Sequence, residues 1–226
     1  MQHRPIQLVV LDMAGTTVAD DGLVIRAFDE AATAVGVPDE GVERDEARRY
    51  VIDTMGQSKV EVFRAIFGSE ERAQDANIAF EKAYERYVDD GVIPVPGAAD
   101  AISQLRSAGV KVALTTGFSR STQDRILTAL GWEEIVDLTL CPADAGRGRP
   151  FPDLVLTAVL RAGTDDVASV AVVGDTASDI LSGRRAGAAI IAGVLTGAHP
   201  EENLRAAGAT HVLDTVAELP RLILSA

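Results

Sequence analysis

The aliphatic run from Ile6 to Leu11 (IQLVVL) leads directly into Asp12 and then into the small, turn-forming string Met13-Ala14-Gly15-Thr16-Thr17. A continuous apolar run of that length reads as a strand buried on both faces, as in parallel sheets covered by helices. In open sheets of that kind ligands bind outside the carboxyl ends of the strands, so a carboxylate there is placed for chemistry. An isolated aspartate could equally cap the next helix, but three further segments build on the pattern. Val110 to Leu114 runs into Thr115, Thr116 and Gly117, where hydroxyls and backbone N–H groups can meet an anion. Gly148-Arg149-Pro150-Phe151-Pro152-Asp153 offers a cation in a proline-stiffened loop, and Val170 to Val173 leads into Gly174-Asp175-Thr176-Ala177-Ser178-Asp179. Together they describe a site for a phosphoryl group and a hard divalent metal.

The spacing of apolar residues predicts an α/β fold. Strands are expected at Ile6 to Leu11, Val110 to Thr115, Ile135 to Leu140, Ser169 to Val173, Ala188 to Val194 and Thr210 to Leu213. Helices are expected near Ala98 to Ala108, Arg120 to Leu130, Pro152 to Ala162, Ala177 to Ala186, Pro200 to Ala207 and Val216 to Leu224. This is the βαβ rhythm of a parallel sheet. Between Asp20 and about Gly91 the rhythm stops. Ile25, Phe28, Ala32 and Val35 share one helical face, as do Val60, Phe63, Ile66 and Phe67, and Ala79, Ala83 and Tyr87. The expected division is a core of residues 1–20 and 92–226 with a helical domain of residues 21–91 inserted after the first strand. Asp20-Asp21-Gly22 and Gly91-Val92-Ile93-Pro94-Val95-Pro96-Gly97 would form its hinge. The acidic pairs Asp20-Asp21 and Asp89-Asp90 read as solvated linker charges.

Charge narrows the choice of partner. With 21 basic and 34 acidic residues the formal charge is −13, which argues against nucleic acid and anionic membranes while leaving room for a small anion held by local donors. No apolar run approaches the roughly 18 residues of a membrane span, and a soluble, cytoplasmic protein is expected. Cys141 is the only cysteine, so a thiolate metal cage is excluded, and the residue reads as a small buried one. His3, His199 and His211 lack metal-ligand spacing and read as structural or exposed; Trp132 reads as a packing residue.

These residues resemble the haloacid dehalogenase superfamily, whose four motifs occur in order across essentially the whole chain. The family fold is a Rossmann-like core with a mobile cap, and the helical insertion resembles the cap placed after the first strand. The closer resemblance is to the phosphonatase-like branch, which cleaves phosphonoacetaldehyde to acetaldehyde and phosphate. Superfamily phosphatases usually carry a second acid two residues after the nucleophile, where this chain and the phosphonatase branch have alanine, here Ala14 in DMAGTT. A positioned acid/base is worth roughly 10²–10⁴-fold, so its loss opposes ester hydrolysis. Arg149 stands where the usual third motif has lysine, VVGDTASD resembles the branch's metal motif, and Met55-Gly56-Gln57-Ser58-Lys59 resembles its Met-Gly-x-x-Lys. In that branch the lysine forms an imine with the substrate aldehyde, an electron sink for the carbanion left by carbon–phosphorus cleavage. Two positions depart from the branch: its histidine three residues after the lysine is Val62 here, and the tyrosine after the Thr-Gly of the second motif is Phe118.

The resemblance implies roles. Asp12 would attack phosphorus to give an aspartyl phosphate and, with Asp175 and the carbonyl of Ala14, would ligate Mg²⁺, Asp179 standing behind them. Thr116, Gly117 and Arg149 would hold the phosphoryl oxygens, Arg149 being favoured over Arg147. Thr16 would brace the Asp12 loop, Lys59 would form the imine and Met55 would line the substrate site. The implied partner is a small phosphorus-containing metabolite, the assembly a monomer or homodimer. The alternatives are a phosphomonoesterase resembling phosphoglycolate phosphatase and a non-catalytic phospho-ligand sensor.

Overall fold

The computed structural model describes residues 5–225; His3 lies outside them. Six strands form one parallel sheet: β1 Leu8–Asp12, β2 Lys111–Thr115, β3 Leu138–Leu140, β4 Val170–Gly174, β5 Ile190–Val194 and β6 His211–Leu213, in the order β3-β2-β1-β4-β5-β6. β1 is central and buried along its whole length. Its side chains alternate: Val9 and Leu11 join the larger hydrophobic cluster, Leu8 and Val10 the cluster on the opposite face. That two-sided burial is why the strand reads as an unbroken aliphatic run. Asp12 pairs with Thr115 and Leu11 with Val173, so the three central strands finish nearly level. The chain order reverses at β1, which opens a crevice at those carboxyl ends.

Helices α1 Leu23–Ala34, α2 Val42–Asp53, α3 Lys59–Phe67 and α4 Glu70–Gly91 lie between β1 and β2. The others are α5 Ala98–Ser107, α6 Arg120–Leu130, α7 Pro142–Ala145, α8 Asp153–Ala162, α9 Ala177–Ala186, α10 Glu201–Ala207 and α11 Leu219–Leu224. Several expected bounds shift for identifiable reasons. β3 starts at Leu138 rather than Ile135 because the Asp137 carboxylate takes the N–H of Val112 at 2.8 Å. The expected helix from Val216 divides into a 3-10 turn, Val216–Glu218, and α11, where Pro220 occupies the first turn, a position that needs no N–H. α2 is absent from the periodicity because its sequence, VERDEARRYVID, buries Arg44 alongside Ala47 and Val51. In α4 the buried face runs through Ala76, Phe80, Ala83, Tyr84 and Val88, one residue away from the expected line of Ala79 and Tyr87. In α3 Val62 and Phe63 are buried and Val60 only half-buried.

Two connections join the helical insert to the sheet, and they pair with each other. Ala19 donates to the carbonyl of Ile93 at 3.0 Å and Val95 to that of Thr17 at 3.0 Å. Asp21 and Gly22 both take left-handed φ, 45° and 78°. The flanking acidic residues are not simply solvated. The Arg125 Nε of α6 donates to the Asp89 carboxylate at 2.9 Å, and half-buried Asp20 accepts from the Val24 N–H at 3.2 Å, closing the first turn of α1. Aromatic rings carry the insert's packing into the sheet domain: Phe28 to Phe63 at 5.6 Å, Phe63 to Phe80 at 6.1 Å, and Phe80 and Tyr84 to Phe118 at 6.2 and 4.4 Å. Phe118 thus serves as the end of an aromatic column. Cys141 and Trp132 are buried, His211 is exposed, and the buried His199 accepts from the Ala177 N–H at 2.9 Å through Nδ1, its Nε2 lying 3.2 Å from the Ile52 carbonyl of α2.

Candidate active site

At the end of β1 the chain folds tightly: the N–H groups of Thr16, Thr17 and Val18 all donate to the carbonyl of Met13. The Thr17 hydroxyl donates to the Asp12 carbonyl at 2.9 Å. Gly15, at φ 86°, permits the turn, and a Cβ there would meet Asp175 Oδ2 at 2.5 Å. Thr16 does not reach Asp12; its hydroxyl donates to Asp175 Oδ1 at 3.1 Å, so its contact is with the neighbouring strand's carboxylate. Asp175 Oδ2 in turn accepts from the Ala198 N–H at 2.7 Å. Asp179 and Thr176 form a capping box at the start of α9, satisfying orphan donors of the helix terminus.

Asp12, Asp175 and Asp179 are all buried, and one carboxylate oxygen from each lies within 4.8 Å of the others. Three oxygen donors of that kind suit a hard divalent cation. Burial raises the Asp12 carboxyl well above its usual range, with Arg149 opposing and the other two carboxylates reinforcing the rise. Burial and then Asp179 push Asp175 up to about 6. Burial thus disfavours the ionised carboxylates, and a cation among their oxygens would offset that cost.

Arg149 enters this cluster from the loop before α8. Its Nη1 donates to Asp12 Oδ1 at 2.6 Å and also to Asp179 Oδ1. Burial works against its charge, but the two aspartates outweigh burial and hold it above its ordinary value. Its Nε and Nη2 are buried without a hydrogen-bond partner. Unpaired buried donors are costly, by about 1–3 kcal/mol each and more for charged groups, so an oxyanion beside Asp12 would be favoured. Arg147, two residues earlier, pairs instead with Asp153 at 2.7 Å and covers the Phe151 ring.

A chamber of about 430 Å³ opens over these groups, with Asp12, Ala14, Thr116, Gly117, Arg149 and Asp175 in its walls. The Phe118 N–H donates to the Thr116 hydroxyl oxygen at 3.2 Å. The insert supplies Met55, Gly56 and Lys59, with Val24, Ile25 and Ile52 as an apolar wall. An outer chamber of about 650 Å³ meets it at Lys59, Gly117, Phe118 and Arg149. The Lys59 ammonium stands 5.3 Å from the Phe118 ring centre and 5.8 Å from that of Phe80, a cation–π arrangement. Burial lowers its pKa to about 8, with Asp20 as the strongest opposing charge. Two close approaches press the turn before Lys59 onto the sheet domain. A Cβ on Gly117 would lie 2.5 Å from the Gln57 carbonyl, and one on Gly56 2.5 Å from Thr176 Oγ1.

The sequence-derived residues Asp12, Ala14, Met55, Lys59, Thr116, Gly117, Arg149 and Asp175 all line this chamber, while Thr16 and Asp179 stand behind it. Asp20 and the loop Thr196-Gly197-Ala198 also line it and carried no sequence signal beyond a strand end and an acidic pair. Gly197 is required by contact, since a Cβ there would fall 2.0 Å from Asp175 Oδ2.

Comparison with known proteins agrees with this geometry. A phosphonoacetaldehyde hydrolase of Pseudomonas fluorescens (strain SBW25) is 30% identical over 197 residues, 80% of this chain and 70% of the relative. The protein named "Probable phosphatase IndB" of Dickeya dadantii (strain 3937) is 28% identical over 218 residues, 94% and 91% of the two chains. The crystal structure of a phosphonoacetaldehyde hydrolase-like protein from Oleispira antarctica superposes with a TM-score of 0.84 at 25% identity, covering 99% of this chain and 93% of that one. The haloacid dehalogenase-like hydrolase family matches residues 6–187. With its parallel sheet, its buried acidic cluster and this match, the chain belongs to the haloacid dehalogenase-like hydrolases.

Proposed function

We propose that this hydrolase transfers the phosphoryl group of a small phosphorus-containing metabolite to Asp12 and then to water, and that its substrate is a phosphonate aldehyde of the phosphonoacetaldehyde type. The observation that carries the reading is the pair of unpartnered donors on Arg149, set beside a carboxylate at a strand end. The oxygens of a phosphoryl group would satisfy Nε and Nη2, and the Thr116 and Gly117 loop lines the same space. The donor set, all oxygen and all buried, fits Mg²⁺, which Asp12, Asp175 and the Ala14 carbonyl would hold with Asp179 behind. When bound, the ion supplies positive charge that screens the Asp12 carboxylate from the phosphoryl oxygens.

Lys59 supports the aldehyde. With its pKa lowered to about 8, roughly one molecule in ten is neutral at pH 7, against roughly one in 2,500 for an ordinary lysine. The neutral amine attacks the aldehyde carbon, and loss of water leaves an iminium. Asp12 then attacks phosphorus, the carbon–phosphorus electron pair moves toward the iminium nitrogen, and an enamine and an aspartyl phosphate result. Water hydrolyses both to acetaldehyde and phosphate. Residues 21–91 act in this reading as a cap over residues 1–20 and 92–226, excluding water and presenting Lys59. The enzyme would work on a soluble metabolite in the cytoplasm, as a monomer or homodimer.

Phosphate release from phosphonoacetaldehyde with Mg²⁺ tests the proposal, comparing wild type, Lys59→Ala and a panel of phosphate monoesters. Turnover of the aldehyde that is lost in Lys59→Ala is expected. Ester hydrolysis indifferent to Lys59, with no turnover of the aldehyde, would overturn it in favour of the phosphatase named among the relatives.

A further inference from the structure

An iminium can form only if the hydroxyl of the carbinolamine departs as water, and hydroxide is a poor leaving group without a proton donor. The inner chamber limits what can serve. Its titratable wall residues are Asp12, Asp20, Asp21, Lys59, Arg149 and Asp175. Asp12 is committed to phosphorus and Asp175 to the cation, Arg149 does not release a proton, and Lys59 spends its nitrogen on the new bond. Asp21 is exposed, with a left-handed φ of 45°, so its carboxyl stays solvated. Val62, where the branch's histidine would be, is buried and lines neither chamber.

We infer that Asp20 is the proton-transfer residue of the imine step, an assignment that rests on the aldehyde reading above. It is built into the site: its Oδ1 accepts from the Val24 N–H at 3.2 Å, which fixes the carboxyl at the mouth of α1 on the wall that Lys59 also lines. Burial raises its pKa, with the Val24 bond and the Lys59 charge opposing and Asp21 adding to the rise. Of the charges acting on Lys59, Asp20 is the strongest, ahead of Arg149, Asp12 and Asp175. Tyr84, buried nearby with an unpartnered hydroxyl, also feels Asp20. In the step itself, neutral Lys59 Nζ bonds the carbonyl carbon, the alkoxide takes a proton from solvent water, and the Asp20 carboxylate takes the surplus proton from the nitrogen. Protonated Asp20 then gives its proton to that hydroxyl, the carbon–oxygen bond breaks with its electron pair on the departing water, and the nitrogen lone pair closes the C=N bond. The Asp20 carboxylate left behind faces the iminium cation. Once solvent water has protonated the enamine carbon, the same carboxylate takes a proton from the water that attacks the product iminium and passes it to the nitrogen, which leaves as the amine of Lys59 and restores the carboxylate.

The test uses the full chain and acetaldehyde with borohydride, which traps the Lys59 imine without any phosphoryl transfer, followed by peptide mass spectrometry and phosphate release from phosphonoacetaldehyde. Asp20→Asn keeps an acceptor for Val24 and removes the proton; trapping and phosphate release should both fall by about 10²-fold. Asp20→Glu should recover part of the loss. The pH profile separates this role from a loosened chamber. Removing the Asp20 charge moves the Lys59 limb to lower pH while the plateau drops, whereas rehydration of Lys59 would move the limb up. Equal trapping in wild type and Asp20→Asn overturns the role of Asp20 and leaves the aldehyde reading standing. Absence of both trapping and phosphate release in wild type overturns both. If Asp20→Asn does not fold, trapping by Asp20→Glu decides: an unchanged rate overturns the assignment, a reduced rate with the limb unmoved upward supports it.

Discussion

Two arginines are buried among the described residues, and they are buried differently. Arg44 of α2 is 1% exposed, and its guanidinium donates to the carbonyls of Pro38, Asp29 and Val37 and to the Thr33 hydroxyl at 2.7–3.0 Å, with the Asp29 and Asp39 carboxylates at 3.4 Å. Arg149 is 5% exposed, yet Nε and Nη2 have no partner and Nη1 alone holds two carboxylates. A guanidinium removed from water costs several kcal/mol unless its donors are met. In the insert the cost is met within the fold, so Arg44 fastens the loop between α1 and α2. At the end of the sheet part of it is left open, and in the function proposed above a phosphoryl group would close it. Burial alone does not separate a structural cation from a binding one; the unspent donors do.

That contrast can be broken by experiment. The largest expected effect is on activity: Arg149→Ala should lower phosphate release per folded molecule by about 10³-fold, near 4 kcal/mol, as for loss of a preorganised oxyanion donor. Retained turnover would show that the open donors are not for the phosphoryl group. Arg44→Met should act on stability instead. It leaves backbone carbonyls and Asp29 without their cation, and urea denaturation should report a loss of about 3 kcal/mol with activity per folded molecule within a few-fold of wild type. Were catalysis lost with stability intact, the two arginines would not divide as described. The smallest effect concerns pH. Lys59 has a pKa lowered to about 8 by burial, so its neutral form grows as pH rises through that value, and kcat/KM for the aldehyde should increase about tenfold between pH 7 and 9. A flat profile would remove Lys59 as the attacking amine.

How far the chain could be read in advance follows the same division. β1, β4 and the residues at their ends were legible because a doubly covered strand must be aliphatic and must stop where the polar site begins. α2 was not, because its buried face centres on Arg44, and periodicity counts apolar residues. Asp20 looked like a linker charge because it stands beside the exposed Asp21; both line the chamber, and it is Asp20 that is half-buried and held by the Val24 N–H. Phe118 read as a lost polar group, and in the fold it ends the aromatic column that joins the insert to the sheet.

By itself the sequence determined the class of fold, the acidic strand ends and the family, since each is a matter of residue type at short spacing. What it could not determine is contact between residues far apart in the chain. That Thr16 holds Asp175, that Gly117 admits the Gln57 carbonyl, and that Arg149 keeps two donors free over Asp12 were decided by the tertiary structure. The physical reason is that desolvation and hydrogen-bond satisfaction depend on everything surrounding a group, and those surroundings exist only once the sheet and the insert have closed on one another.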